Sequence, residues 1–135
     1  MDEIIKPSVQ AFLVCDQVIS DSTTGKKTVV GAFTHIWATS FPCRHHKLGI
    51  YLCITDAEGD YVFEIQLVYL NTDQIVGRAT MPKVTINNRL DITDYGINIP
   101  YIDFPAAGRY EFKLYAGGTF ITQKDFNVIP SSGGP

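Results

Sequence analysis

The sequence predicts an all-β fold, an antiparallel β-sandwich of Greek-key type with immunoglobulin-like or C2-like topology. Three observations predict it. Apolar and polar residues alternate along most segments, and no window carries a helical period beyond about two turns. Strand-forming runs recur at a spacing of about ten residues, bounded by Gly, Pro, Asn and Asp. In AAGRY, Gly108 stands two residues before Tyr110, which starts a strand, and this is the pattern of a tyrosine corner, whose hydroxyl bonds an upstream backbone group.

About eight or nine strands are expected. Residues 9–20 and 28–38 read as two β-rich runs joined by the turn 21–27, with Gly25 at positive φ, and so as a hairpin. Residues 39–46, TSFPCRHH, read as a loop in which Pro42 ends a strand and Arg44 and His45 sit in solvent. From 47 to 55 the alternation is strict, with Leu48, Ile50, Leu52 and Ile54 on one face and His46 sharing their parity at the core edge. Tyr61, Phe63, Ile65, Leu67 and Tyr69 share a face in 61–70, and 75–81 forms the next strand. In 84–93, Val84, Ile86, Leu90 and Ile92 fall on one face, interrupted by Asn88. Pro100 makes 95–104 an edge strand or an irregular crossing, because proline cannot donate to a ladder. Tyr110, Phe112 and Leu114 alternate with polar residues, and Gly117 and Gly118 turn the chain into a last strand.

Residues 1–8 read as a loose arm, 9–129 as a single sandwich domain and 130–135 as a flexible tail. A chain of 135 residues with 45% hydrophobic residues buries a core without staples. The charged fraction of 19% is low and there are seven tyrosines, which points to surface that meets a partner. The net charge is −3 and no basic patch stands out, which argues against nucleic acid. There is no signal-peptide pattern and no long apolar run for a membrane span. With three cysteines, an odd number, this predicts free thiols in a reducing cytoplasm.

Several residue groups carry chemical potential. Cys43, His45, His46 and Cys53 are zinc-ligand types, but C-x-H-H-x6-C is not the spacing of a structural site, and adjacent histidines project apart. Cys15 and Cys53 are read as small hydrophobes instead. Asp16 and His35 lie in apolar runs, Asp16 as a turn or surface acid and His35 as a packed or surface residue, since no nucleophile motif accompanies them. TTGKK, 23–27, lacks the rest of a phosphate-binding loop. Asp56, Glu58 and Asp60 surround Gly59 and invite a calcium reading with NTDQ or DITD as a second loop, yet lack an EF-hand frame, so a solvated turn is preferred. Trp37, Tyr51, Tyr69, Tyr95, Tyr101 and Tyr115 are the candidates for a sugar-stacking platform, set against their ordinary use in a core.

Cys15-Asp16, Thr24-Gly25-Lys26, Phe41-Pro42, His46, Thr55-Asp56, Gly59, Phe104-Pro105, Gly108 and Tyr110 together resemble a family of small uncharacterised bacterial domains of unknown function, over about residues 9–128. The resemblance implies a bacterial cytoplasmic β-sandwich and brings no activity, cofactor or catalytic residue. The expectation is therefore a non-enzymatic sandwich that works through protein contacts, by self-association or with another protein, with no assigned catalytic, metal or cofactor residues. A ligand-binding module, for carbohydrate or calcium-dependent contact, is the alternative. A metal-dependent enzyme using His45 or His46 ranks below both.

Overall fold

The computed structural model describes residues 4–131 and is all-β among them. Twelve strands follow in order: β1 Ser8–Cys15, β2 Gln17–Ser20, β3 Lys27–Val30, β4 His35–Ala38, β5 Cys43–Thr55, β6 Gly59–Tyr61, β7 Phe63–Tyr69, β8 Gln74–Thr80, β9 Val84–Ile86, β10 Thr93–Phe104, β11 Gly108–Ala116 and β12 Thr119–Pro130. One sheet runs β1-β5-β10 and the other β4-β12-β11-β7-β8, with β2-β3 and β6-β9 as separate two-stranded ribbons. Pairing is antiparallel except between β4 and β12, which are parallel.

The count exceeds eight or nine because long runs break where the chain changes sheet. The first run breaks at Asp16, whose amide donates to both Val30 O and Gly31 O. The second breaks after Val30, at Gly31, which has φ 68°. β2 and β3 do form the expected hairpin, and Gly25 has φ 73° in its turn. β1 and β4, however, leave it for opposite sheets, β1 to β5 and β4 to β12.

The expected apolar faces of 47–55 and 61–70 are borne out. Leu48, Ile50, Leu52 and Ile54 of β5 are buried, as are Tyr61, Phe63, Ile65, Leu67 and Tyr69. Each such side chain contributes about 1.5–3 kcal/mol by leaving water. The centre is aromatic. Tyr110 stacks on Tyr69 with centroids 4.8 Å apart, and meets Phe104 edge-on at 4.9 Å. Its hydroxyl donates to Ala106 O at 2.6 Å, which is the tyrosine-corner bond. Gly108, at φ 143°, is required there, because a Cβ would lie 2.8 Å from the Tyr69 ring.

Three expectations are corrected. Residues 43–46 are not loop; β5 begins at Cys43 and pairs with β10 as far as Phe104. Within that stretch His45 is half-buried and His46 exposed, the reverse of the parity carried back from Leu48. Lys47 is the cause: its φ of 64° rotates the strand, and Pro100 opposite offers no amide to hold a regular ladder. Of the expected loose arm 1–8, residues 1–3 lie outside the described ones and residues 4–8 pack against the domain. Ile4 packs on the core, Pro7 is buried, and Tyr61 Oη donates to Ile5 O at 2.6 Å. Of the predicted tail, Pro130 ends β12 and the Ser131 amide donates to Ala38 O; residues 132–135 lie outside the described ones.

Candidate interaction site

β8 and β10 are edge strands of the two sheets and lie beside each other. Inward positions on β8 follow the register: Gly77 faces Leu67 and Ala79 faces Ile65. Neither has the volume to reach the other sheet. The result is an apolar cleft of about 200 Å³, floored by Ile65, Leu67 and Phe112 and walled by Ile99 and Ile102 of β10. Arg78, Tyr101 and Asp103 bound its mouth.

That mouth is held in place. Arg44 donates from Nε to Asp103 Oδ1 at 2.8 Å and from its terminal nitrogen to Oδ2 at 3.0 Å. The guanidinium carbon also lies 4.0 Å from the centroid of the Tyr101 ring, a cation–π contact. The paired guanidinium holds the Asp103 carboxyl below its usual range. Tyr101 remains 48% exposed.

The other end of β10 carries an opposite feature. Residues 84–93 were expected to form one strand with Leu90 and Ile92 on the face of Val84 and Ile86. Instead β9 stops at Ile86 and the chain turns on Asn88, whose Oδ1 accepts from Leu90 N at 2.9 Å and whose carbonyl accepts from Asp91 N at 3.0 Å. This side-chain turn competes successfully with the ladder. It leaves Leu90 82% and Ile92 63% exposed, the two most exposed large apolar side chains among the described residues.

The outer face of the first sheet is covered by the β2–β3 hairpin. Gly96 makes this possible, since a Cβ there would lie 2.6 Å from Val18 Cγ1. Asn98 binds the β2 backbone at Val18, accepting from its N and donating to its O, both at 2.9 Å. Asp94 ties down the other strand: Lys27 Nζ donates to it at 3.0 Å and Tyr51 Oη at 2.9 Å. Burial, then the Asp94 carboxylate, push the Tyr51 phenol above its ordinary value. This Lys–Asp–Tyr chain went unread in the sequence because its members are 43 and 67 residues apart.

The zinc-type residues all lie on β5. Cys43 and His45 point inward, His46 outward, and Cys53 sits ten residues along from Cys43, roughly 33 Å of extended strand. Among the described residues no group of three potential ligands comes together. The three cysteines are unpaired thiols. Cys15 is buried, as a small hydrophobe would be, and desolvation raises its thiol; Cys53 is only half-buried. His45 Nε2 is buried without a partner, and desolvation lowers that imidazole.

Asp16 is exposed and its carboxylate packs over Gly31. His35 is exposed, joined to Thr34 at 3.1 Å and edge-on to Trp37 at 5.2 Å. Asp60 accepts from Thr85 Oγ1 at 2.6 Å and lies 3.8 Å from Lys83, while Asp56 has φ 55° and Glu58 is exposed. Of the candidate platform, Trp37 and Tyr101 are exposed, but on β4 and β10, at opposite margins; Tyr51, Tyr95 and Tyr115 are half-buried and Tyr69 is buried.

Fold and site together define an all-β sandwich with one open margin and one apolar projecting turn. The sequence matches a family of unknown function (DUF6941) over residues 10–129, and the chain belongs to that family. No curated protein matches the sequence. Fifty-five chains of solved structures match the fold. Among them is the Pseudomonas fluorescens alkylpurine DNA glycosylase AlkC, bound to DNA containing an abasic site analog, with TM-score 0.58 and 9% identity. The match covers 94% of this chain and 31% of that one, so the present chain spans about a third of the enzyme's length. At this identity the likeness shows the fold alone. Among the described residues no helix is long and apolar enough to cross a membrane.

Proposed function

We propose that this domain is a non-enzymatic module that acts through protein contacts and associates with copies of itself. The observation that carries this reading is Leu90, 82% exposed on a turn whose hydrogen bonds hold it in water. With Ile92 two residues on, 63% exposed, it makes an apolar projection that a partner surface can cover. The unpaired edges of β8 and β10 add backbone groups that a neighbouring chain can satisfy. In support of a non-catalytic role, the Lys27–Asp94–Tyr51 cluster pins the β2–β3 hairpin to the first sheet. The half-buried thiols of Cys43 and Cys53 fit a reducing compartment such as the cytoplasm. The DNA bound by the glycosylase is not carried over, since a net charge of −3 provides no attraction for phosphate.

Size-exclusion chromatography with light scattering tests the proposal. The expected result is a mass that rises above the 15.0 kDa monomer with concentration. A constant monomer across the whole range overturns it. The cleft of about 200 Å³ favours a second reading, a binding module for a small apolar ligand. Titration with indole, followed by thermal unfolding, checks that reading; an unchanged midpoint removes it.

A further inference from the structure

We infer that self-association is head-to-tail: the turn 87–92 of one copy inserts Leu90 into the cleft between β8 and β10 of the next. The inference rests on the protein-contact reading and specifies its geometry.

The two features are complementary in shape and character. A cavity near ~150 Å³ already accepts a benzene-sized body, so a cleft of about 200 Å³ has room for a leucine side chain. Its floor and walls are largely aliphatic and aromatic, and on β8 the small residues Gly77 and Ala79 stand beside Val76. Leu90 is the most exposed large apolar side chain among the described residues. Its support is stiff, because Asn88 holds the amides of both Leu90 and Asp91. Little conformational freedom is lost when such a side chain docks.

Charges agree with the docking. Leu90 is flanked by Arg89 and Asp91, both exposed and without an ion pair among the described residues. The cleft mouth offers Arg78, likewise unpaired, and Asp103, whose charge Arg44 already balances. Asp91 is the counterpart of Arg78, the one charge at the mouth that no ion pair among the described residues already balances.

The contact must be between copies. Leu90 precedes the start of β10, whereas Tyr101 and Ile102 at the cleft lie near its end. From Thr93 to Tyr101 is roughly 26 Å of extended strand at about 3.3 Å per residue, beyond the reach of a leucine side chain. Donor and acceptor are different patches, so the interface is heterologous. Such contacts close into rings or run on as filaments.

The test uses two variants of the full chain. Leu90→Asp removes the projecting group at a position too exposed to disturb folding. Ala79→Leu fills the cleft, and its thermal unfolding is checked first. Light scattering is then run on wild type, each variant and an equimolar mixture. Wild type is expected to grow beyond a dimer with concentration, and each variant is expected to need a roughly tenfold or higher concentration to associate. The mixture is expected to stop at a dimer, since one intact turn meets one intact cleft. Wild type that associates while Leu90→Asp associates equally overturns the inference and leaves self-association standing. Wild type that stays monomeric overturns both. Should Ala79→Leu fail to fold, the Leu90→Asp result alone decides.

Discussion

Where β10 runs into β11, Phe104, Tyr110 and Phe126 fill the space between the sheets, with centroids 4.9 to 6.0 Å apart and almost no exposure. At the margin where β8 faces β10, the same two sheets leave about 200 Å³ unfilled. The two places differ in connection, since β10 passes into β11 at one and β8 and β10 end their sheets at the other, and they differ in side-chain volume. Large rings project inward at the closed end, whereas at the open one two β8 positions carry only Gly77 and Ala79. Close packing is the ordinary condition of a protein interior. A gap beside two edge strands therefore contrasts with the aromatic cluster, which packs the two sheets together.

Phe126→Ala is the largest way to break this comparison. It is expected to cost about 3–5 kcal/mol through lost transfer energy and the cavity left behind, read from the midpoint of urea unfolding. A loss below about 1 kcal/mol would show that the aromatic end is not the better packed one. Tyr110→Phe keeps the ring and deletes the bond to Ala106 O; the carbonyl left unpaired is expected to cost about 1–3 kcal/mol. An unchanged midpoint would mean that packing alone makes the corner.

The reverse face of the closed end sharpens the comparison through pH. Glu111 is 6% exposed beside Asp125, and burial, then that neighbour, raise its carboxyl above the ordinary value. The folded state thus holds this proton more tightly than the unfolded chain does. Its contribution to stability is complete below the ordinary glutamate value and is lost as pH rises through the folded-state value. Glu111→Gln is expected to flatten that decline and raise the neutral-pH melting midpoint. A decline of the same slope in the variant would assign it to other groups. The smallest effect is expected at the open margin. Ala79→Val adds volume to empty space and should change stability by less than about 1 kcal/mol, with stabilisation the expected sign. A clear loss would mean that the cleft is tighter than its volume suggests.

Much of the closed end was legible in advance. The alternation of β5, β7 and β11 placed their core faces, and the spacing of Gly108 and Tyr110 indicated the corner bond. The open margin was not legible. Gly77 and Ala79 look unremarkable until register sets them opposite Leu67 and Ile65. Leu90 and Ile92 were read on the face of Val84 and Ile86 because apolar alternation ran through them, whereas the Asn88 turn, a local side-chain bond, took precedence. His45 and His46 exchanged places because a left-handed Lys47 reverses parity, and a lysine carries no advance sign of that conformation.

What the sequence determined by itself is the period-two burial that makes this an all-β sandwich, together with the turn residues that divide it. Side-chain parity is a local property of extended backbone, so it can be read along the chain. What only the tertiary structure decided is which strands form edges, where the sheets fail to meet, and which charges find partners. Those depend on pairings between segments tens of residues apart, such as Lys27 with Asp94 or Arg44 with Asp103. No short window contains both members of such a pair, and it is these pairings that separate a cleft from a core.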